Sequence, residues 1–234
     1  MKLSIIVPVY NEENTILEIL KRLEKVSIQG VTKEVIVVDD GSTDSTRVKL
    51  QKVKNAKVIL HKSNQGKGAA VKTGIKNAKG DYILIQDADL EYHPNQIKNL
   101  VRPVLENKAK VVYGTRLNRA PHLNKEEAKH LFIIHYLGNR FLSLVSSLLY
   151  GQWITDMETC YKLFPKKAVE KMKINARGFE FEPEITSKLL KGGYKIKEVS
   201  ITATPRGYDE GKKLNTVKDG TKALWYLFKY RLTN

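Results

Sequence analysis

Four short apolar runs, each closing on a polar cluster, constrain this chain more than any other feature. Leu3-Ser-Ile-Ile-Val-Pro-Val9 leads into Tyr10-Asn11-Glu12-Glu13, and Glu34-Val-Ile-Val-Val38 leads into Asp39-Asp40-Gly41-Ser42-Thr43-Asp44. Lys57 to His61 precedes Asn64-Gln-Gly-Lys-Gly68, and Asp81-Tyr-Ile-Leu-Ile-Gln86 delivers Asp87 and Asp89. Helix-length segments separate the runs, the first from Thr15 to Val26, and a further strand is predicted over Lys110 to Thr115. Continuous β-branched runs alternating with helices imply an α/β fold: a mostly parallel central sheet with helices on both faces. In such a sheet the strand ends converge on one rim, and ligands bind in the crevice outside them. Ser42, Thr43 or Asp44 is placed to cap the helix after the second run.

The residues at that rim carry chemistry. Asp87 and Asp89 are hard oxygen ligands that suit Mg²⁺ or Mn²⁺ carrying a diphosphate, although an Asp-x-Asp also suits a solvated loop. Gly66 and Gly68 fit a close backbone approach at a helix start, but no third glycine completes a dinucleotide fingerprint. Tyr10 reads equally as a core residue, and Glu12 as an acid of a first helical turn.

Eight segments together narrow the reading: Val7-Pro-Val-Tyr-Asn-Glu12, Val37 to Asp44, Asn64 to Ala69, Gln86 to Leu90, Gly114-Thr-Arg116, Asp156 to Phe164, Gly178 to Glu182 and Arg206 to Lys213. In their content and order the chain resembles the family 2 glycosyltransferases of the GT-A type. Within that family it is most similar to polyprenyl-phosphate sugar synthases, such as the dolichyl-phosphate mannose synthases and glucosyltransferases. The resemblance implies that a hexose moves, with inversion, from a nucleotide diphosphate sugar, GDP-mannose or UDP-glucose, to a polyprenyl or dolichyl phosphate. It places Pro8, Tyr10, Glu12 and Asp40 at the base and ribose, and Gly66, Lys67, Asp87 and Ala88 along the rest of the donor. Asp89 becomes the direct metal ligand and Asp87 a ligand of metal or ribose. Glu91 stands where mannose synthases often carry glutamine, so the metal site gains an acid.

A lipid monophosphate is already anionic and needs no base, but two anions must be brought together, so the protein must supply positive charge. Arg116, Arg206, Lys212 and Lys213 are the candidates, with Asp89, Arg116 and Arg206 as the catalytic set. Arg140 fits either a phosphate or the solvated side of a helix. Asp156, Glu158 and Glu182 fall on the acceptor and sugar side; Asp156 and Glu158 equally suit holding a loop through backbone N–H groups. Glu180 and Glu184 read as charges at a helix start. A transferase to a polysaccharide or soluble acceptor is the alternative, and it would need a base beside the acceptor hydroxyl.

The 41 Lys and Arg against 25 Asp and Glu give a formal net charge of +16, which attracts anionic lipid and nucleic acid alike. Nucleic-acid binding explains neither the acids at the strand ends nor the absence of a recognisable binding motif, and is set aside. No run reaches the about 20 apolar residues that span a bilayer. His130 to Tyr150 comes nearest, interrupted by His135, Asn139 and Arg140, and reads as an amphipathic helix in a membrane interface, a core helix or a dimer surface. Lys222 to Leu232 mixes aromatic and basic residues suited to headgroups. The expectation is a peripheral protein on the cytoplasmic face of a membrane, with a separate membrane anchor protein as an open option. The opening strand is too short and too soon interrupted by Pro8 for a signal peptide. One cysteine, Cys160, fits a reducing compartment. With 234 residues and no linker composition, one catalytic domain is expected, 1–115 for the donor and 116–234 for the acceptor.

Overall fold

The computed structural model describes residues 1–117, 130–204 and 216–233, with side chains from Ile134 and Asp219 in the helices that open the last two segments. In chain order the elements are β1 (Lys2–Val9), α1 (Ile16–Lys25), β2 (Thr32–Asp39), α2 (Thr46–Leu50), β3 (Lys57–Leu60), α3 (Lys67–Asn77), β4 (Tyr82–Ile85), α4 (Ile97–Leu105), β5 (Val111–Thr115), α5 (His130–Tyr150), β6 (Lys162–Pro165), α6 (Lys166–Glu170), α7 (Phe181–Lys191), β7 (Ile196–Ser200) and α8 (Thr216–Leu232). The seven strands form one sheet in the order β3-β2-β1-β4-β6-β5-β7. Every pairing is parallel except those of β6, which runs against both β4 and β5.

The apolar runs bury as their pattern requires. Ile5, Ile6 and Val7 are fully covered, and α1 buries Ile16, Ile19 and Leu23, spaced by three and four residues on one face. α3 lies on β1 and β2. A Cβ at Gly74 would stand 2.4 Å from Ile6 Cγ2, so only glycine lets this helix approach so closely.

The sheet opens at one place. Pairing of β1 with β4 stops at Ile6 and Ile85, while pairing with β2 runs on to Val9 and Asp39. Gln86 N donates to Ile6 O at 2.9 Å, and Asp40 N donates to Val9 O at 2.8 Å. The alternation therefore turns Pro8 toward the β4 side, beyond the last paired residue. A proline is tolerated in this central strand because its missing N–H falls where no ladder continues. The strands part there and leave a crevice on the rim.

β6 and β7 were not evident in the sequence. Beyond them, α5, α7 and α8 pack against one another. α5 is arranged inside out: Ser143, Ser146 and Ser147 are buried beside Leu142, while Ile134, Leu137, Phe141, Leu144 and Leu148 are exposed. Among the described residues no helix is long and apolar enough to cross a membrane.

Candidate active site

The first two strand-end loops are laced together. Asn11, with φ 50°, donates its N–H to Ser42 Oγ at 2.9 Å and accepts from Thr43 N at 2.8 Å. Glu12 N donates to Thr46 Oγ1 at 2.8 Å, and the buried Glu12 carboxylate accepts from Thr15 Oγ1 at 2.9 Å. Tyr10 is half-buried beside it. The residue at the α2 N-cap is Ser45, one later than the sequence suggested, and its side chain makes no cap bond. Asp44, one of the three capping residues expected, supplies the bond, accepting from Thr46 N at 2.9 Å, while Ser42 accepts from Asn11 N.

Asp39 and Asp40 face different tasks. Asp39 is fully buried against Arg47, whose Nε and Nη2 stand 3.0 Å and 2.9 Å from Oδ2. Asp40 holds the loop that opens α3: it accepts from Gln65 N at 3.0 Å and from Gly66 N at 2.7 Å, with His61 Nδ1 at 2.7 Å. The close approach expected of Gly66 and Gly68 is to protein backbone. A Cβ on Gly66, whose φ is +98°, would lie 2.3 Å from Arg177 O, and one on Gly68 would lie 2.7 Å from Ala176 O. Arg177 O also accepts from Ala69 N at 3.0 Å, so residues 176–178 brace the start of α3. Glu184 fixes this brace through Asn175 N at 2.9 Å and Ala176 N at 2.6 Å, and Glu180 through Arg177 N at 3.1 Å. Both acids stand at the start of α7, as expected of helix-start charges, and they also anchor a loop.

At the end of β4 the charges form a chain. Lys67 Nζ stands 2.9 Å from Asp87 Oδ1, 3.1 Å from Oδ2 and 3.3 Å from Glu182 Oε1. Glu182 Oε2 is 2.9 Å from Nζ of Lys162, a fully buried lysine that also donates to Met157 O at 2.8 Å and to Thr159 O. Ala88 is buried, Leu90 adopts φ 65°, and Asp89 Oδ1 accepts from Glu91 N at 3.0 Å. A non-glycine residue with positive φ at a strand-end turn is a costly conformation of the kind found at functional sites. Among the described residues no three His, Cys, Asp or Glu side chains gather as a ready metal cage, so Asp87, Asp89 and Glu91 do not converge as a preformed set. The donor atoms are nonetheless carboxylate oxygens, and an ammonium already sits on Asp87 as a stand-in cation. That arrangement fits Mg²⁺ or Mn²⁺ held by one or two carboxylates, with diphosphate oxygens and water completing the shell.

Across the crevice, Arg116 at the end of β5 grips the buried Asp156. Its Nε lies 2.7 Å from Oδ2, its Nη2 2.8 Å from Oδ1, and its backbone N 3.0 Å from Oδ2. The guanidinium also lies over the Tyr92 ring, 5.7 Å from the centroid. Glu198 holds the backbone N of Asp156 at 3.0 Å. Arg140 donates to Leu117 O at 3.1 Å, which seats α5 beside the end of β5. Arg206, Lys212 and Lys213 lie outside the described residues.

Residues 4–173 match the model of glycosyl transferase family 2. The chain is a member of that family. It is 30% identical over 240 residues to the dolichol-phosphate mannosyltransferase of Pyrococcus furiosus, covering 98% of this chain and 64% of that protein. It is 27% identical over 234 residues to the UDP-N-acetylglucosamine--dolichyl-phosphate N-acetylglucosaminyltransferase of Methanococcus voltae, covering 91% and 90%. Among solved structures it resembles glucosyl-3-phosphoglycerate synthase from Mycobacterium tuberculosis, crystallised with Mn²⁺ and UDP-glucose, at TM-score 0.75 and 19% identity, over 98% of this chain and 78% of that one. The fold is thus the GT-A fold.

Within this glycosyltransferase the site's charges are set by burial and pairing. Burial works against the Lys67 ammonium, yet Asp87 and Glu182 hold it well above the usual lysine range. Glu158 has Oε1 covered and without a hydrogen-bond partner among the described residues. Burial, reinforced by the charge of Glu182, pushes its carboxyl up to about 8. Burial likewise keeps the Cys160 thiol protonated. Lys162 had no assigned role in the sequence, although a lysine inside the apolar run Tyr161 to Phe164 was a signal: an ammonium buried in a strand requires a carboxylate, here Glu182.

Proposed function

We propose that this glycosyltransferase moves one hexose from a nucleotide diphosphate sugar to a polyprenyl or dolichyl phosphate at a membrane surface. The observation that carries the reading is the tie between α5 and Arg116: the helix that exposes Leu137, Phe141, Leu144 and Leu148 on its outer face is seated by Arg140 one residue past that arginine. An apolar outer face with serines inward suits a lipid environment and not water. The names of both relatives join a sugar to a dolichyl phosphate, which supports the same acceptor class.

In this reading the phosphate oxygen bonds the anomeric carbon as the bond from that carbon to the diphosphate breaks, with inversion. No proton moves, because the acceptor is already ionised. Asp89 and Asp87, with Glu91 beside them, would hold the Mg²⁺ or Mn²⁺, whose chemistry is to offset charge on the departing diphosphate. Tyr10, Glu12 and the β1–β4 crevice at Pro8 receive the nucleoside. Lys67 faces the diphosphate. Arg116 has five N–H donors, of which the Asp156 carboxylate takes two, so the ion pair fixes the fork while directing charge at the acceptor phosphate. Arg206, Lys212 and Lys213 add to that charge. The halves 1–115 and 116–234 divide donor from acceptor, except that Glu182 and Lys162 reach back to complete the donor rim. The donor is GDP-mannose or UDP-glucose, and the protein sits on the cytoplasmic face, where the α5 surface can also seat a separate anchor protein.

A hydroxyl acceptor is the second reading, favoured by Glu158, whose carboxyl, raised to about 8, becomes in its ionised form toward pH 8 a base strong enough to take the hydroxyl proton. The deciding experiment incubates the protein with Mn²⁺, polyprenyl phosphate in vesicles and a panel of labelled nucleotide sugars that includes GDP-mannose, UDP-glucose and UDP-N-acetylglucosamine. Labelled lipid extracted into solvent supports the proposal. Transfer to soluble sugars alone would replace it with the second reading.

A further inference from the structure

Lys67 is the first residue of α3, the position where a helix macrodipole disfavours a cation. It is kept there by carboxylates, since both oxygens of Asp87 and one of Glu182 surround its ammonium, in a pocket where the Lys67 and Asp87 side chains are only 15% and 19% exposed. Glu182 is in turn pinned from behind by the fully buried Lys162. Asp40 and the brace at Arg177 fix the backbone of the loop, so the ammonium's position is built and not incidental. An ammonium and a divalent cation on one carboxylate repel each other strongly at such low exposure.

We propose that Lys67 is an internal occupant of the cation's place on Asp87, and that the donor binds by exchange. This rests on the metal-dependent transferase reading above. Asp87 passes to the cation, while Lys67, still tethered to Glu182, turns to the incoming diphosphate. Cation and nucleoside diphosphate therefore raise each other's affinity, because each relieves the repulsion the other would meet. Bare cation binds weakly, so the empty site does not hold metal idle.

The test measures Mn²⁺ binding to the protein without nucleotide, by water-proton relaxation, and then UDP and GDP binding with and without Mn²⁺. Lys67→Gln removes the charge and keeps a hydrogen-bond donor to Asp87. It should bind bare Mn²⁺ about tenfold more tightly than the wild type and nucleoside diphosphate with Mn²⁺ about tenfold more weakly. The factor by which nucleotide and Mn²⁺ favour each other should shrink in parallel. Unchanged or weaker Mn²⁺ binding by the variant, with a wild type that binds both ligands, overturns the exchange and leaves the transferase reading intact. A wild type that binds neither UDP nor GDP under any condition removes that reading and the exchange together. Should Lys67→Gln not fold, acetylation of the wild type read by mass spectrometry replaces it. Saturating Mg²⁺ should then raise the reactivity of Lys67 relative to Lys162, and equal reactivity with and without Mg²⁺ overturns the proposal.

Discussion

At the rim between β1 and β4, charged side chains turn inward and meet partners: Asp40 with Gly66 N, Asp87 with Lys67, Asp156 with Arg116. On α5 the serines turn inward with Leu142, while Ile134, Leu137, Phe141, Leu144 and Leu148 turn out. The serines are not idle, since Ser143 Oγ accepts from Met157 N at 2.9 Å and Ser147 Oγ from Ile154 N at 2.9 Å. Both bonds position the segment that carries Asp156. The two regions are therefore one device: polar atoms hold backbone in both, and what differs is the medium outside. In the proposed reading the rim takes the hydrated, charged donor. The outer face of α5 exposes Leu137, Phe141, Leu144 and Leu148, which in the proposed reading meet the membrane surface.

The rim side of the comparison breaks hardest at Asp156. Asp156→Asn strands a partly buried guanidinium and loses a charged acceptor for Arg116 N, and should cost about 3 kcal/mol in urea denaturation. A loss below about 0.5 kcal/mol would mean that the pair is open to water and does not fix Arg116. Gly66→Ala follows at about 2 kcal/mol, because it combines a positive φ with a Cβ 2.3 Å from Arg177 O. It should also weaken UDP or GDP binding, since relief of the clash moves the start of α3 and Lys67 with it. Full stability together with full nucleotide affinity would show that residues 176–178 yield easily.

The early strands and the rim acids were legible because each apolar run is continuous and each ends in polar residues, so period and breakpoint coincide. β6 was not, because its four residues begin with a lysine and its partners are distant in sequence; only tertiary pairing makes Lys162-Leu-Phe-Pro165 a strand. β7 mixes Lys197 and Glu198 into an edge strand, and so lacks the buried run. Asp87, Lys67 and Glu182 were singled out separately, yet the sequence carried no sign that one ammonium joins the two carboxylates. For α5 the length and apolar content were visible. Its sense was not, since Ser143 and Ser147 look like the water-facing side until their partners at 154 and 157 are known.

The α5 side is sharpened by a pair of substitutions with opposite expectations. Ser147→Ala should cost about 1.5 kcal/mol, because it leaves a buried Ile154 N–H without its acceptor. Phe141→Ser, at a side chain 54% exposed, should change stability by less than about 0.5 kcal/mol, yet reduce sedimentation with anionic vesicles. In an ordinary amphipathic helix the order would be reversed. A destabilisation by Phe141→Ser as large as that of Ser147→Ala would place the outer face in packing and remove the contrast.

The smallest effect concerns Glu158, where the rim's pairing rule is not met. Its carboxyl, pushed up to about 8 by burial and by Glu182, keeps a proton in the folded protein across a range where the unfolded chain, near 4.5, has released it. The folded state binds the extra proton, so this group's contribution is fully present below the unfolded pKa and is lost as pH rises toward 8. The residue as a whole is half-buried although Oε1 is covered, so the loss is on the order of 1 kcal/mol. Glu158→Gln imitates the protonated form, and its denaturation midpoint should fall less than the wild type's between pH 5 and pH 8. An identical slope in both proteins would place the titrating proton elsewhere. The same variant separates the two acceptor chemistries: with a phosphate already ionised, transfer should survive the loss of this carboxylate, whereas a hydroxyl acceptor would lose its base and transfer would fail.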